Sequence, residues 1–352
     1  MLHKVIKRVA RFAARGADSQ PKFRSVRWLP ATQFPELGQS AGTWLVAFDG
    51  LVGIACHVDD PLPSALLPTD GLAQAVSSPI VGVADQGVSV ALQSSAGGVF
   101  QVPHLDPTGY PMPPRVAAVA QWDIWPNLAR VVHCAAGANS GRPTYEHVCL
   151  RPSGAEATDS ICLGHAPGWG WDAQVLVPAR IFGHLDREAP LSIAIDDQQI
   201  QLWAGGLEMR WGAVRRDLTY PDCRGVLESM RSQGHRVVVP TKGLLDAVRQ
   251  AVSISAASAV ALVFQGQAVG LLGWRGAGEA MEHQYDVTLP VVFGHGPVSP
   301  AAPAAIYVDG RLLVRALRAV DTPTVMLGVA KEHDPLRLEW AGVMECIWPW
   351  RL

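Results

Sequence analysis

The chain has 352 residues, 49% hydrophobic and 17% charged, a balance that excludes a disordered polypeptide and allows two or three domains with real cores. No apolar run reaches the ~18 residues of a membrane span; Ala259–Trp274 comes nearest and is broken by Gln265 and Gln267. Charge is unevenly placed: residues 1–28 carry eight basic groups against Asp18 alone, a net of +7, which leaves −9 on the remainder of a chain whose total is −2. A basic patch on an acidic protein points to a polyanionic partner.

In chain order, apolar periodicity predicts a helix over Leu2–Arg15, a β-rich run Ala65–Pro68 leading into a second helix, then strands over Ile80–Leu92 and Val99–Val102. The pattern restarts with a helix over Trp125–Ala136 and a strand at Glu146–Leu150. The run Val175–Pro178 enters another helix, and strands follow over Leu191–Leu202, with Asp196-Asp197 as a turn, and Glu208–Val214. It restarts again with Thr241–Val252, Val260–Phe264, the run Ile306–Asp309 with its helix, and strands Thr324–Val329 and Leu336–Trp348. The interval from Pro68 to Pro178 equals that from Tyr110-Pro111 to Tyr220-Pro221, so each tyrosine stands at one fixed distance after its own proline. The same distance counted from Asp309 reaches Arg351, so all three thirds close at an equivalent point. The expectation is an α+β protein of three pseudo-equivalent domains, 1–116, 117–233 and 234–352, each with two helices and antiparallel strands.

Polar residues recur at i, i+4, i+7 opposite an apolar face, and five of these helices lean basic. The stripes are Lys4, Arg8 and Arg11, with Lys7 beside them; Arg180, His184 and Arg187; Arg311, Arg315 and Arg318; Lys242, Asp246 and Arg249; and Arg130 with His133. Recurrence in a repeat implies one basic surface for a phosphate backbone, bound without base readout.

Three stretches carry a family resemblance. Leu218–Leu227 resembles the Phe-Pro-Asp-Tyr-Arg linker, Val175–Leu185 the proline-started inner helix, and Ile347–Leu352 the closing apolar-Pro-Met-Arg-Leu of the bacterial DNA polymerase III beta subunit, the sliding clamp. The resemblance implies a DNA-clamp fold and a head-to-tail homodimer, a ring of six domains with helices lining a hole for double-stranded DNA. It implies a non-enzymatic processivity factor, without cofactor or metal, that meets a polymerase and clamp-loader subunits through a short hydrophobic peptide. The lumen would present Lys4, Lys7, Arg8, Arg11, Arg142, Arg180, Arg187, Lys242, Arg249, Arg311, Arg315 and Arg318. The peptide cleft would use Tyr145, Cys162, Leu163, Gly164, His165, Cys346, Ile347, Trp348, Pro349, Trp350, Arg351 and Leu352. Departures from the family pattern are Ala166-Pro167 after Gly164-His165, Glu228 where a proline is expected, tryptophans at 348 and 350, and no opening strand before the first helix. They motivate an alternative, a clamp paralogue acting as a partner-binding or inhibitory module.

Six cysteines (Cys56, Cys134, Cys149, Cys162, Cys223 and Cys346) form no CxxC pair, which argues against a disulfide framework or zinc ribbon and for a reducing, cytoplasmic setting. The pairs Cys56-His57 and His133-Cys134 invite a metal reading, but sequence neighbours diverge in direction and no third ligand stands at a suitable spacing. A hydrolase built on His165 and a cysteine has only residue types behind it. A transit peptide over residues 1–20 is set aside because that helix has a counterpart in each other third. The aromatic loop Pro167–Trp171 is expected to cover a domain edge.

Overall fold

A computed structural model of the chain describes residues 2–14, 20–33, 39, 41–114, 120–121, 125–137, 140–168, 174–183, 185, 191–205, 207–231, 235–254, 258–265, 268–275, 282–290, 292–295, 304–329 and 334–349. His184, Arg187, Trp350, Arg351, Leu352 and Trp169–Trp171 lie outside them. Six α-helices are described: α1 (Leu2–Ala10), α2 (Thr69–Ala75), α3 (Trp125–Val131), α4 (Arg224–Arg231), α5 (Thr241–Ile254) and α6 (Gly310–Ala319). None is long and apolar enough to cross a membrane.

The chain packs as two compact units, Met1–Asp123 with Arg180–Arg215, and Ile124–Ala179 with Arg216–Leu352. In the first unit an antiparallel sheet of eight strands runs Ala65–Pro68, Ser25–Pro30, Thr43–Phe48, Val52–Val58, Glu208–Ala213, Gln199–Ala204, Leu191–Ile195, Ala120–Gln121. The second unit repeats that order: Val175–Pro178, His147–Arg151, Gly154–Thr158, Cys162–Pro167, Val343–Ile347, Leu336–Trp340, Thr324–Val329, His235–Pro240, with Phe293–His295 added at the end. Each large sheet therefore joins four strands from one third of the sequence to strands from the next.

The two remaining sheets are the unjoined halves. Ala304–Asp309, Ala259–Gln265, Ala268–Arg275 and Glu282–Pro290 reproduce the first half, and Ile80–Asp85, Ser89–Ser94 and Val99–Pro103 reproduce the second with one strand fewer. The difference lies beside Ile80–Asp85. Its counterparts Leu191–Ile195 and Thr324–Val329 pair with Ala120–Gln121 and His235–Pro240, whereas Ile80–Asp85 has no outer neighbour among the described residues.

Helix α1 buries Leu2, Ile6 and Val9, one apolar stripe at i, i+4, i+7. It ends earlier than its periodicity predicts: Phe12 N–H bonds to Val9 O (2.9 Å), a tighter i−3 turn that buries Phe12 and Ala13. Likewise α3 stops at Val131 and tightens into a 3₁₀ turn, Val132–Cys134. In α6 the expected turn residue Asp309 is an N-cap, its carboxylate accepting from the amides of Arg311 (2.8 Å) and Leu312 (3.4 Å). The expected helix after Pro178 is, in the described residues, a single 3₁₀ turn, Ala179–Phe182. The repeated tyrosines are core residues: Tyr110 donates to Ser25 O or Val46 O (both 3.2 Å) and Tyr220 to Glu156 O (3.4 Å).

Candidate functional site

The basic residues divide into two groups. Arg180 and Arg315 are held by carboxylates of tight turns. Asp49 accepts the amides of Leu51 (2.8 Å) and Val52 (2.7 Å). Asp159, at the equivalent place in the next third, accepts those of Ile161 (2.9 Å) and Cys162 (2.7 Å). Each turn also takes one arginine: Arg180 on Asp49, and Arg315 on Asp159 at 2.9 Å. Arg180 further donates to Arg11 O (2.7 Å). Arg8 pairs with the buried Glu208 (2.7 Å), and Arg130 with Asp321 (2.6 Å). These side chains tie helices and a 3₁₀ turn to strands and turns distant in sequence, and their charge is already matched. On α5, Arg249 pairs more loosely with Asp246, at 3.5 Å and in the open.

Lys4, Lys7, Arg11, Lys242, Arg311 and Arg318 form the second group, all exposed. Arg142, also exposed, sits in a turn opened by Gly141 (φ 73°) and donates to Ser160 Oγ (2.8 Å). Burying Ile6 and Val9 in α1, and Leu313, Ala316 and Leu317 in α6, turns these cations outward.

The expected cleft wall lies on two adjacent strands, and pleating sends its residues to opposite faces. Leu163 stands opposite Cys346, His165 opposite Met344, Gly164 opposite Glu345 and Cys162 opposite Ile347. Leu163, Met344 and Cys346 join Cys149, Leu176, Tyr220, Cys223 and Leu227 in one buried cluster, against which Leu218, Val226 and half-buried Trp348 pack. Tyr220, Cys223 and Leu227 come from the segment leading into α4, which runs unbroken through Glu228. Burial pushes the thiols up, Cys149 to about 11 and Cys223 and Cys346 to about 12. Tyr145, half-buried in the turn Pro143–Glu146, is not among that cluster. Trp348 donates its amide to Ile161 O (2.9 Å), and Pro349 follows it half-buried.

Cys162 and Gly164 face the other way, toward α3. A Cβ on Gly164 would stand 2.8 Å from Cys134 Sγ and 3.2 Å from Val131 Cγ1. There the structure assembles what sequence spacing failed to reveal. His133 Nε2 lies 2.9 Å from Glu345 Oε2 and 3.6 Å from Cys134 Sγ; Cys162 Sγ lies 3.2 Å from Cys134 Sγ and donates to Glu345 Oε1 at 2.9 Å. The pair His133-Cys134 does acquire further ligand-type neighbours, both from strands distant in sequence. The other pair does not behave alike: His57 Nε2 meets Ala41 O (2.7 Å).

The backbone matches the DNA polymerase sliding clamp of Bacillus subtilis (TM-score 0.73, 16% identity), the DNA polymerase III beta subunit of Thermotoga maritima (0.74, 15%) and the DNA polymerase beta subunit of Streptococcus pyogenes (0.71, 17%), covering 100% of this chain and 97–98% of theirs. The fold is that of the bacterial sliding clamps. No family model matches the sequence, and no curated protein does. At such identity the likeness is one of fold, carried by patterning and strand order and not by retained side chains.

Proposed function

We propose that this chain is a non-enzymatic sliding clamp: two copies associate head to tail, encircle duplex DNA and tether a DNA polymerase to it. The observation that carries the reading is the pair of unjoined half-sheets. Where a first half meets a second half within the chain, Val52–Val58 pairs with Glu208–Ala213, and Cys162–Pro167 with Val343–Ile347. The counterparts of those joining strands are Glu282–Pro290 and Val99–Pro103, each lacking that neighbour among the described residues. Val99 on the latter edge is 60% exposed. An unpaired edge with exposed apolar side chains favours a further strand. A second copy supplies it, and the same pairing repeated by symmetry closes the assembly. The repeat domains 1–116, 117–233 and 234–352, taken from each of two copies, are then the six segments of the ring.

In this reading Lys4, Lys7, Arg11, Arg142, Lys242, Arg311 and Arg318 meet phosphates, and a loader opens one junction. A short hydrophobic peptide of the polymerase docks against Trp348 and the Leu163, Met344 and Cys346 face.

Native mass spectrometry at micromolar concentration tests the first step. The expected species is a dimer, with twice the 37.6 kDa mass of one chain. The dimer, once loaded, should stay on circular DNA and slide off after linearisation. A stable monomer, or equal retention on both DNAs, would overturn the proposal.

A further inference from the structure

We propose that His133, Cys134, Cys162 and Glu345 form a binding site for one zinc ion. This inference stands apart from the DNA-binding reading, since all four residues lie in the second unit and none meets DNA in that reading.

The first argument is donor type and number. Two thiols, an imidazole and a carboxylate are a complete tetrahedral set for zinc, and the sulfur and nitrogen donors disfavour magnesium or calcium. Four protein ligands without an open position are the pattern of a structural site.

Geometry supplies the second argument. Around a zinc ion with ordinary bond lengths, neighbouring ligand atoms stand about 3.4–3.8 Å apart. The observed separations are 2.9 Å (His133 Nε2 to Glu345 Oε2), 3.6 Å (His133 Nε2 to Cys134 Sγ), 3.2 Å (Cys134 Sγ to Cys162 Sγ) and 2.9 Å (Cys162 Sγ to Glu345 Oε1). His133, Cys134 and Glu345 offer ligand atoms that all lie within 4.8 Å of one another, and Cys162, beside Cys134 and the other oxygen of Glu345, is the fourth ligand that the ion draws in. The residues come from rigid places: the 3₁₀ turn after α3, the first residue of Cys162–Pro167 and the middle of Val343–Ile347. Gly164 makes the approach possible, because any side chain there would meet Cys134 Sγ.

Third is charge. Glu345 is 1% exposed, and a buried carboxylate needs a countercharge. The other large sheet shows how the fold meets that need. Met209 and Met344 occupy matching strand positions, each in its own buried cluster, so Arg210 corresponds to Glu345. Arg210, also 1% exposed, has the full opposite charge of Glu208 at 2.6 Å and the carbonyl of Ile181 at 2.8 Å. Glu345 meets an imidazole and a thiol instead. A divalent cation brings positive charge to this set as Cys134 and Cys162 release their two protons to solvent and bind as thiolates, leaving one net negative charge shared among the three anionic ligands.

The test uses the full reduced chain stripped with a chelator, titrated first with cobalt(II) and then zinc(II). Cobalt should saturate at one ion per chain with the strong visible absorption of a tetrahedral site and a sulfur-to-cobalt charge-transfer band, and zinc should displace it. Glu345→Gln keeps the side chain's size and shape, removes its charge and one acceptor oxygen, and should weaken zinc binding more than about tenfold. Cys134→Ser with Cys162→Ser should abolish the charge-transfer band. Should the serine variant fail to fold, the wild-type melt still decides, because zinc at one equivalent must raise its Tm. A wild-type chain with no tetrahedral cobalt spectrum, an unmoved Tm, or a spectrum unchanged in a folded serine variant would overturn the proposal. Isolation of the chain with Cys134 and Cys162 joined as a disulfide and no metal would overturn it too.

Discussion

Arg210 is the residue on which the first unit's core turns. It is buried with Glu208 against it, Arg8 behind Glu208, and the ring of Phe12 4.9 Å from its guanidinium. Truncation leaves the buried Glu208 with Arg8 as its remaining arginine and frees the carbonyl of Ile181, so Arg210→Ala should cost about 3 kcal/mol in urea denaturation. A loss below about 1 kcal/mol would show that Glu208 is neutralised otherwise. The buried thiols make a second residue-scale prediction. Desolvation holds Cys149, Cys223 and Cys346 at about 11, 12 and 12, above the value of an unfolded cysteine. Their contribution is complete below about pH 8.5 and disappears as pH rises through those folded values, because only the unfolded chain ionises in between. Urea midpoints should therefore fall steadily from about pH 9 upward, and these thiols should resist alkylation at about pH 8 until the protein unfolds.

At the scale of elements, the amphipathic helices were legible because burial and period leave the same trace in sequence. What the stripes concealed was the state of each cation. Arg8 lies on α1 with Lys4 and Arg315 on α6 with Arg311, while Arg180 lies in the turn Ala179–Phe182, yet their carboxylates come from Glu208, Asp49 and Asp159, on strands and turns far along the chain. Reversing those arginines would set carboxylate against carboxylate and test folding, not DNA contact. The informative variant reverses exposed Lys4, Lys7, Arg311 and Arg318 to glutamate. Contact with duplex DNA at low salt should weaken at least about tenfold, while stability changes by no more than about 0.5 kcal/mol per site. Unchanged contact would remove α1 and α6 from the DNA surface. The same limit on legibility explains the cleft and the metal cluster. A linear run such as Cys162–His165 gives no sign that pleating splits it between two faces until its partner strand and register are known. The pair His133-Cys134 shows only one turn of chain, while the atoms beside it come from Cys162 and Glu345.

For the whole molecule, the repeat and the packing follow different divisions. Sequence periodicity marks thirds, but the units that pack are Met1–Asp123 with Arg180–Arg215, and the remainder. The reason is lateral strand order, which hydrophobic alternation does not encode: it sets which residues face inward, not which strand lies alongside. The proposed ring gives retention its distinctive salt response. Phosphate contacts weaken steeply with ionic strength, whereas a closed loop on circular DNA leaves only by opening. Retention on circular DNA at high salt, with loss after linearisation, therefore separates topology from charge in the test of the dimer.

The shared sheets also govern how the chain emerges from a ribosome. Strand Val52–Val58, paired early with Thr43–Phe48, finds its second neighbour only in Glu208–Ala213, and Cys162–Pro167 waits still longer for Val343–Ile347. At about 5–20 residues per second of synthesis, each edge stays bare for roughly 7 to 40 seconds, far longer than the microseconds in which a hairpin forms. Strands of one third are thus made and folded locally, then held open until the next third arrives. Aggregation pressure on this protein is greatest during its own translation, and a stop codon placed between the partners would leave an apolar edge that nothing downstream could cover.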